Sequence, residues 1–318
     1  MNSTPMVSVF VITYNSASYI KETLDSVKRQ TYKNLELVIS DDCSTDNTVE
    51  ICRAWIEENR ENFVRTELVS TPHNMGVAGN CNNAIRATTG VWLKGLSGDD
   101  KFLDYTIEEY VNYVNEHPEC RICFAKLHFW GEDDNLTASA KSQYERYCYP
   151  YIQADIQQQK KRILRSMFVP GPGLFYQKSL WKEVGGFDER YPFAEEYPFT
   201  YNVLTAGNKI HFLDKELYAY QVRDGSLSKK NNNNGGSMIS VKHFQDIYQH
   251  FLDVRRSEML KHGYLLSALH ESISLYNRSL SYKAASKKER IFAKVLFMLS
   301  PIFYWDRLSR KVLKRDSK

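Results

Sequence analysis

The strongest constraint in this sequence is an alternation, over its first hundred residues, of short β-branched apolar runs with segments of helical period. Val7 to Thr13 leads into a helix-period stretch at 19–29; further apolar runs stand at 35–40, 64–69 and 91–96, with helical stretches at 48–58 and 79–87. Such alternation predicts the α/β class, with a mostly parallel, Rossmann-like sheet flanked by helices. In open sheets of this class ligands bind beyond the carboxyl ends of the strands. The residues just past each run are therefore the functional candidates: Thr13, Tyr14 and Asn15; Asp41 to Asp46; Pro72 to Asn74; and Ser97 to Asp100.

From about residue 101 the pattern changes to aromatic-rich segments with a Pro/Gly turn at 169–173, which reads as a second lobe packed on the first. The run N-N-N-N-G-G at 231–236 is a linker by composition, and helices are expected beyond it. Net charge is +4, but residues 283–318 alone carry 11 Lys/Arg against 3 Asp/Glu, so the body is slightly acidic. That distribution, without a zinc-finger, RNP or helix-turn-helix signature, argues against nucleic acid as a partner. No window reaches the roughly 18 apolar residues of a membrane span. The N-terminus has no basic n-region and its apolar run is too short for a signal peptide, so a cytoplasmic chain, soluble or peripheral, is expected. Six cysteines in 318 residues suit a reducing compartment, and Cys120 and Cys123, a lone C-x-x-C without a second ligand pair, read as core thiols.

Two acidic clusters carry chemistry. Asp41, at the end of the second run, can accept hydrogen bonds from a nucleobase imide and ribose hydroxyls, while Ser44 or Thr45 can cap the helix that follows; the alternative is a simple turn cluster. Asp99 and Asp100 follow Gly98 at the end of the run 91–96. Paired carboxylates there suit a hard divalent cation, manganese or magnesium, that also binds a diphosphate.

The order and spacing of these pieces resemble family 2 glycosyltransferases. The match comprises V-F-V-I-T-Y-N at 9–15, S-D-D-C-S-T-D-N-T at 40–48, H-N-M-G-V-A-G-N-C-N at 73–82, L-S-G-D-D ending at Asp100, G-G-F-D at 185–188 and A-E-E-Y-P at 194–198. The resemblance implies a GT-A-type fold and inverting transfer from a nucleotide sugar, in a bacterial cell-surface polysaccharide pathway, onto a saccharide or lipid-linked saccharide. It divides the chain into a nucleotide-sugar half at 1–100, an acceptor half at 101–230 and a helical C-terminal extension at 231–318. It places Thr13, Tyr14, Asn15 and Asp41 at the nucleobase, with Asn82 as a further donor contact or a structural cap. Asp99 and Asp100 fall at the metal-diphosphate end. Glu196 falls at the position of the catalytic carboxylate. Two departures stand out: Glu195-Glu196 replaces the family's frequent glutamate-aspartate pair, and Arg223, a candidate diphosphate contact, stands where a histidine is frequent.

Rival functions are weaker. The first strand-helix turn reads T-Y-N-S-A, not G-x-G-x-x-G, and there is no G-x-x-x-x-G-K-[ST], which disfavours a dehydrogenase and a P-loop enzyme. A nucleotidyltransferase would carry a glycine-rich phosphate loop near its start. A noncatalytic membrane-associated scaffold would not need the carboxylates. Three further expectations follow: a uridine-type donor, from the imide acceptor Asp41 beside the stacking face Tyr14; a basic, aromatic amphipathic tail that either lies on an anionic membrane or packs on the domain; and a helix starting after Pro198 whose positive end keeps Glu196 ionised.

Overall fold

The computed structural model describes residues 4–131, 133–152, 154–165, 171–222, 241–280 and 286–299. The expected linker 231–236, Arg223 and the chain beyond 299 lie outside these residues.

The first hundred residues fold as the alternation requires. Strands β1 (Val7–Thr13), β2 (Leu35–Asp41), β3 (Arg65–Ser70) and β4 (Trp92–Ser97) alternate with helices α1 (Ile20–Lys28), α2 (Thr48–Asn59) and α3 (Gly76–Ala87). All four strands are parallel neighbours in the order β3-β2-β1-β4. The strand period of two sorts β1 between two cores. Val7, Val9 and Val11 pack with Leu24, Trp55 and Tyr110 on one face, and Phe10 packs with Ala84, Leu180 and Phe199 on the other.

The sheet then turns mixed. After β5 (Lys101–Phe102) and α4 (Thr106–Glu116) come β6 (Ile122–Trp130), α5 (Asp134–Ile152), α6 (Ile156–Arg165), β7 (Leu174–Gln177), α7 (Lys178–Glu183), α8 (Glu196–Thr205) and β8 (His211–Gln221). The full order is β3-β2-β1-β4-β7-β6-β8-β5, with β4/β7, β7/β6 and β8/β5 antiparallel. The chain beyond residue 100 therefore continues the same sheet, and the mostly parallel arrangement holds only in the first hundred residues.

The C-terminal helices are α9 (Val241–His250), running through a π turn (Phe251–Arg255) into α10 (Arg256–Lys261), then α11 (Leu265–Ser279) and α12 (Lys287–Leu299). The first of these is part of the core. Phe244, Phe251 and Met259 join Tyr197, Phe199 and Leu204 in one apolar cluster, each such fully buried side chain worth about 2 kcal/mol. Arg255 is fully buried, donates to the Leu164 carbonyl at 2.8 Å and lies 5.0 Å over the Tyr197 ring. Cys43, Cys52, Cys81, Cys120 and Cys123 are free thiols, as expected; the side chain of Cys148 lies outside the description.

Candidate active site

The carboxyl ends of β1, β2 and β4 meet, and their loops are laced together. Asp41, 1% exposed, accepts from Thr13 Oγ1 at 2.9 Å and from the Ser44 amide at 2.8 Å. Asn15 has φ +50° and Cys43 φ +63°, left-handed backbone that needs local support in non-glycine residues. The support is mutual: the Asn15 amide donates to Ser44 Oγ at 2.8 Å, and Asn15 Oδ1 accepts from the Thr45 amide at 2.8 Å. Ser44 and Thr45 are thus spent on the neighbouring loop. Asp46, which takes the Thr48 amide at 3.0 Å, serves the start of α2 in place of the expected Ser/Thr cap. Tyr14 projects from this lacework with 46% of its surface exposed, so its ring is available as a stacking face.

Gly98 brings the second acidic cluster against the first. Its amide donates to the Ile12 carbonyl at 2.9 Å, and a Cβ there would stand 3.1 Å from Thr13 Cγ2 and 3.0 Å from Ser16 Oγ. Only glycine allows that approach without a shift. Asp100 is buried, with its carboxylate held by Tyr218 Oη at 2.8 Å and the Gln221 amide at 2.9 Å, so it ties the β4–β5 turn to the end of β8. Asp99 is partly exposed beside it. Among the described residues no three His, Cys, Asp or Glu side chains form a metal cluster. Magnesium-type sites that also bind phosphates take only one or two carboxylates from the protein. Asp99, partly exposed next to a buried and anchored Asp100, fits such a site, with Asp100 in a supporting place.

The loop before α3 is organised by Asp42, whose carboxylate accepts from Thr71 Oγ1 and from the Met75 and Gly76 amides at 2.8–3.0 Å. Asn80 on α3 donates to the Thr13 carbonyl at 3.2 Å, and its buried Oδ1 has no partner among the described residues. Asn82 points elsewhere. Its amide holds Phe187 O, Phe187 N and Glu189, and it lines a separate concavity of about 390 Å³ with Arg86 and Gly186. Asn82 thereby ties α3 to the loop at 187–189.

Glu195 and Glu196 stand across α3. The Ala78 amide of α3 donates to the Pro192 carbonyl, just ahead of Glu195 and Glu196, and both glutamates and Asp42 lie close enough to the buried Cys81 thiol to push its pKa further up after burial has raised it. The helix α8 begins at Glu196 itself, three residues ahead of the start expected just after Pro198. A proline at the third helical position is tolerated because first-turn amides have no partner inside the helix. The expected ionising effect of the helix end is outweighed. Burial raises the Glu196 pKa to about 7, and burial followed by the charge of Glu196 raises Glu195 well above the carboxylate range. The two carboxyl side chains interact directly, an interaction that adds to the rise of Glu195 and opposes that of Glu196. His243 on α9 places Nε2 3.9 Å from Glu196 Oε1, a neighbour that no sequence motif signalled.

A model of glycosyl transferase family 2 matches residues 8–184. The glycosyltransferase GlyA of Streptococcus pneumoniae serotype 4 is 27% identical over 232 residues, which span 70% of this chain but only 31% of GlyA. An uncharacterized glycosyltransferase of Haemophilus influenzae is 23% identical over 293 residues, 91% of this chain and 90% of its own length. Among solved structures, S. aureus TarS 1-349 in complex with UDP superposes with a TM-score of 0.54 at 21% identity, covering 92% of this chain and 87% of that one. The mannosyltransferase PcManGT of Pyrobaculum calidifontis, in complex with GDP-Man and Mn2+, gives 0.56 at 19% identity, covering 95% and 83%. Identities this low establish the fold, which is the GT-A type.

Proposed function

Since the chain belongs to glycosyl transferase family 2, whose model spans more than half of it, we propose that it moves a hexosyl or N-acetylhexosaminyl group from a uridine-diphosphate-linked donor to a saccharide or lipid-linked saccharide by inverting single displacement. The observation that carries this reading is the meeting of Asp41, Tyr14 and Asp99 around the end of β1, with the Glu195–Glu196 pair held across α3. TarS 1-349 has also been crystallised with UDP-GlcNAc, which supports a uridine donor by analogy of fold.

In this reading the imide edge of the base meets the Asp41 carboxylate and the ring stacks on Tyr14. Asp99, with Asp100 behind it, holds the diphosphate end, and Arg223, outside the described residues, is a further candidate contact for it. A manganese or magnesium ion bound there would neutralise charge on the departing diphosphate. Glu196 removes the proton of the acceptor hydroxyl as that oxygen attacks the anomeric carbon from the opposite face. Thr13 and Asn15 fix the loop beneath the base, and Asn82 fixes the loop 186–189.

The polysaccharide setting proposed for this activity places the enzyme at an anionic membrane surface. No described helix is long and apolar enough to cross a membrane. The exposed apolar residues of α11 and α12 support peripheral attachment.

The test is release of nucleoside diphosphate from a panel of UDP-, GDP- and dTDP-sugars, and of nucleoside monophosphate from CMP-sugars, with manganese or magnesium, run beside thermal shift with each donor. Turnover and stabilisation confined to UDP-sugars support the proposal. Preference for GDP-sugars overturns the uridine assignment. Neither binding nor turnover with any donor favours a noncatalytic scaffold.

A further inference from the structure

Lys94 stands in the middle of β4, fully buried, with its Nζ 4.9–5.5 Å over the rings of Phe102, Tyr110 and Tyr218. Lysine is almost never hidden so completely, and burial here lowers its pKa to about 7. A methionine would fill the same space without that penalty. Neither the proposed nucleotide contacts nor the proposed proton transfer involves the amine.

Its contacts give it another task. Lys94 Nζ donates to the Pro172 carbonyl, and Tyr110 Oη on α4 donates to the Gly173 carbonyl at 2.6 Å. Pro172 has no amide to give, so the turn Gly171–Gly173 is fastened to the sheet and to α4 through two of its carbonyls. The same turn lies against the glutamate pair: a Cβ at Gly171 would stand 3.4 Å from Glu196 Cβ and 3.7 Å from Glu195 Oε1. The lysine also lies 4.9 Å over the ring of Tyr218, whose Oη holds Asp100 at 2.8 Å.

We propose that Lys94 is a positioning residue for the base, its Nζ fastening the turn Gly171–Gly173 as a wall over Glu195 and Glu196 and linking that wall to the turn that carries Asp100. The inference rests on the reading of Glu196 as the base. An amine and an ammonium both donate, so the tie is the same in either form of the lysine.

Burial is the largest cause of the raised pKa of both glutamates, and this turn is one of the walls that bury them. The other groups facing the pair are His243 on α9, Cys81 on α3 and Tyr176 on β7, and a change at Lys94 leaves them as they are. Once the Pro172 carbonyl is freed, the turn can move off the pair and admit water, which favours the ionised carboxylates.

Carboxyl titration followed by infrared difference spectroscopy on the full chain reads this without a substrate. Wild type should show a protonated-carboxyl band with a midpoint near neutrality, lost when Glu195→Gln and Glu196→Gln are combined. In Lys94→Met, which fills the aromatic cage and donates nothing, that midpoint should fall by about one pH unit, part of the rise that burial produces. Tyr110→Phe, which removes the second tie and keeps the ring, should move it in the same direction. The melting temperature of Lys94→Met should equal or exceed that of wild type, because an apolar side chain replaces a buried amine. A lysine that served stability alone would give a lower melting temperature with the midpoint unmoved, and that result overturns the proposal. So does an unchanged midpoint in both folded variants. A near-neutral band that survives in the double glutamine variant overturns instead the buried carboxyl pair on which the reading of Glu196 depends.

Discussion

At Glu196 function and stability pull in opposite directions. Its acidity is weakened to about pH 7 by burial, so transfer should rise with pH through roughly neutrality as the base deprotonates, and the acid limb of kcat/KM should lie there. Glu196→Gln should keep UDP affinity and lose transfer by on the order of a hundredfold or more. Near-normal turnover in that variant beside an inactive Glu195→Gln would move the role to Glu195. A carboxyl whose folded pKa is raised above its unfolded value binds more protons in the native state. It therefore supports folding at low pH and loses that support as pH climbs through the folded value. Glu196→Gln should gain stability over wild type between about pH 5 and pH 8, by roughly 1–3 kcal/mol in denaturant titrations; an equal pH dependence in the two proteins would contradict the burial. At the nucleotide end, Asp41→Asn keeps the shape of a side chain held by Thr13 and Ser44 but removes its charge. Calorimetry should show UDP affinity falling about tenfold, the scale of a lost charge-assisted hydrogen bond, and undiminished affinity would remove Asp41 from the base-binding site. Asp41 was legible in the sequence because it closes a strand that its own composition announces, whereas Glu196 was singled out only by the family resemblance. The contacts of Asn80, Asp42 and Tyr218 were not legible, since their partners at Thr13, Gly76 and Asp100 lie far along the chain.

At the scale of elements, the parallel half was readable and the antiparallel half was not. In β1 to β4, β-branched residues alternate with helical period and punctuation, so type and bounds fall within a few residues of expectation. Strands β6, β7 and β8 are aromatic-rich and are brought together by connections of many residues, with no hairpin turn to announce the pairing. Composition likewise marked the linker at 231–236 as a boundary, and the helix beyond it read as an extension. An amphipathic stripe tells that a helix packs without telling against what, and here α9 packs against α8 and the loop just ahead of Glu195. Arg255 gives the strength of that union. Buried completely, it donates twice to the Leu164 carbonyl and lies 3.4 Å from Glu271. Arg255→Ala would leave a cavity, an unsatisfied carbonyl and a carboxylate without its partner, a loss of about 3–5 kcal/mol. Denaturant unfolding should show one cooperative transition moved to lower midpoint. A separate early transition, with the sheet domain unaffected, would mean that the helices form an independent unit.

Across the whole molecule the surface is uneven in a way that the charge distribution anticipates. On α11, Leu265, Leu266 and Leu269 are 65%, 56% and 52% exposed; on α12, Ile291, Phe292 and Val295 are 53%, 60% and 43% exposed. The two helices pack on each other. Exposed Lys288 and Lys294 stand on α12 beside these apolar residues, and the chain from 283 onward carries a net +8. Apolar residues flanked by lysines are the composition of a helix lying in a lipid interface, where hydrocarbon burial and attraction to anionic headgroups add. The sheet domain has the opposite sign overall, so attraction should orient the molecule tail-first. Flotation with phosphatidylglycerol-rich vesicles should therefore recover the full chain at low salt, and less of it as salt screens the basic tail. Removing residues 287–318 should abolish most of this recovery while leaving UDP binding intact. Leu266→Glu with Leu269→Glu, both on exposed positions that tolerate charge, should weaken it without lowering the melting temperature. Equal recovery of all three proteins would place the membrane contact elsewhere. Concentration-dependent self-association of the full chain, lost in the Leu→Glu variant, would instead make this face a contact between two copies.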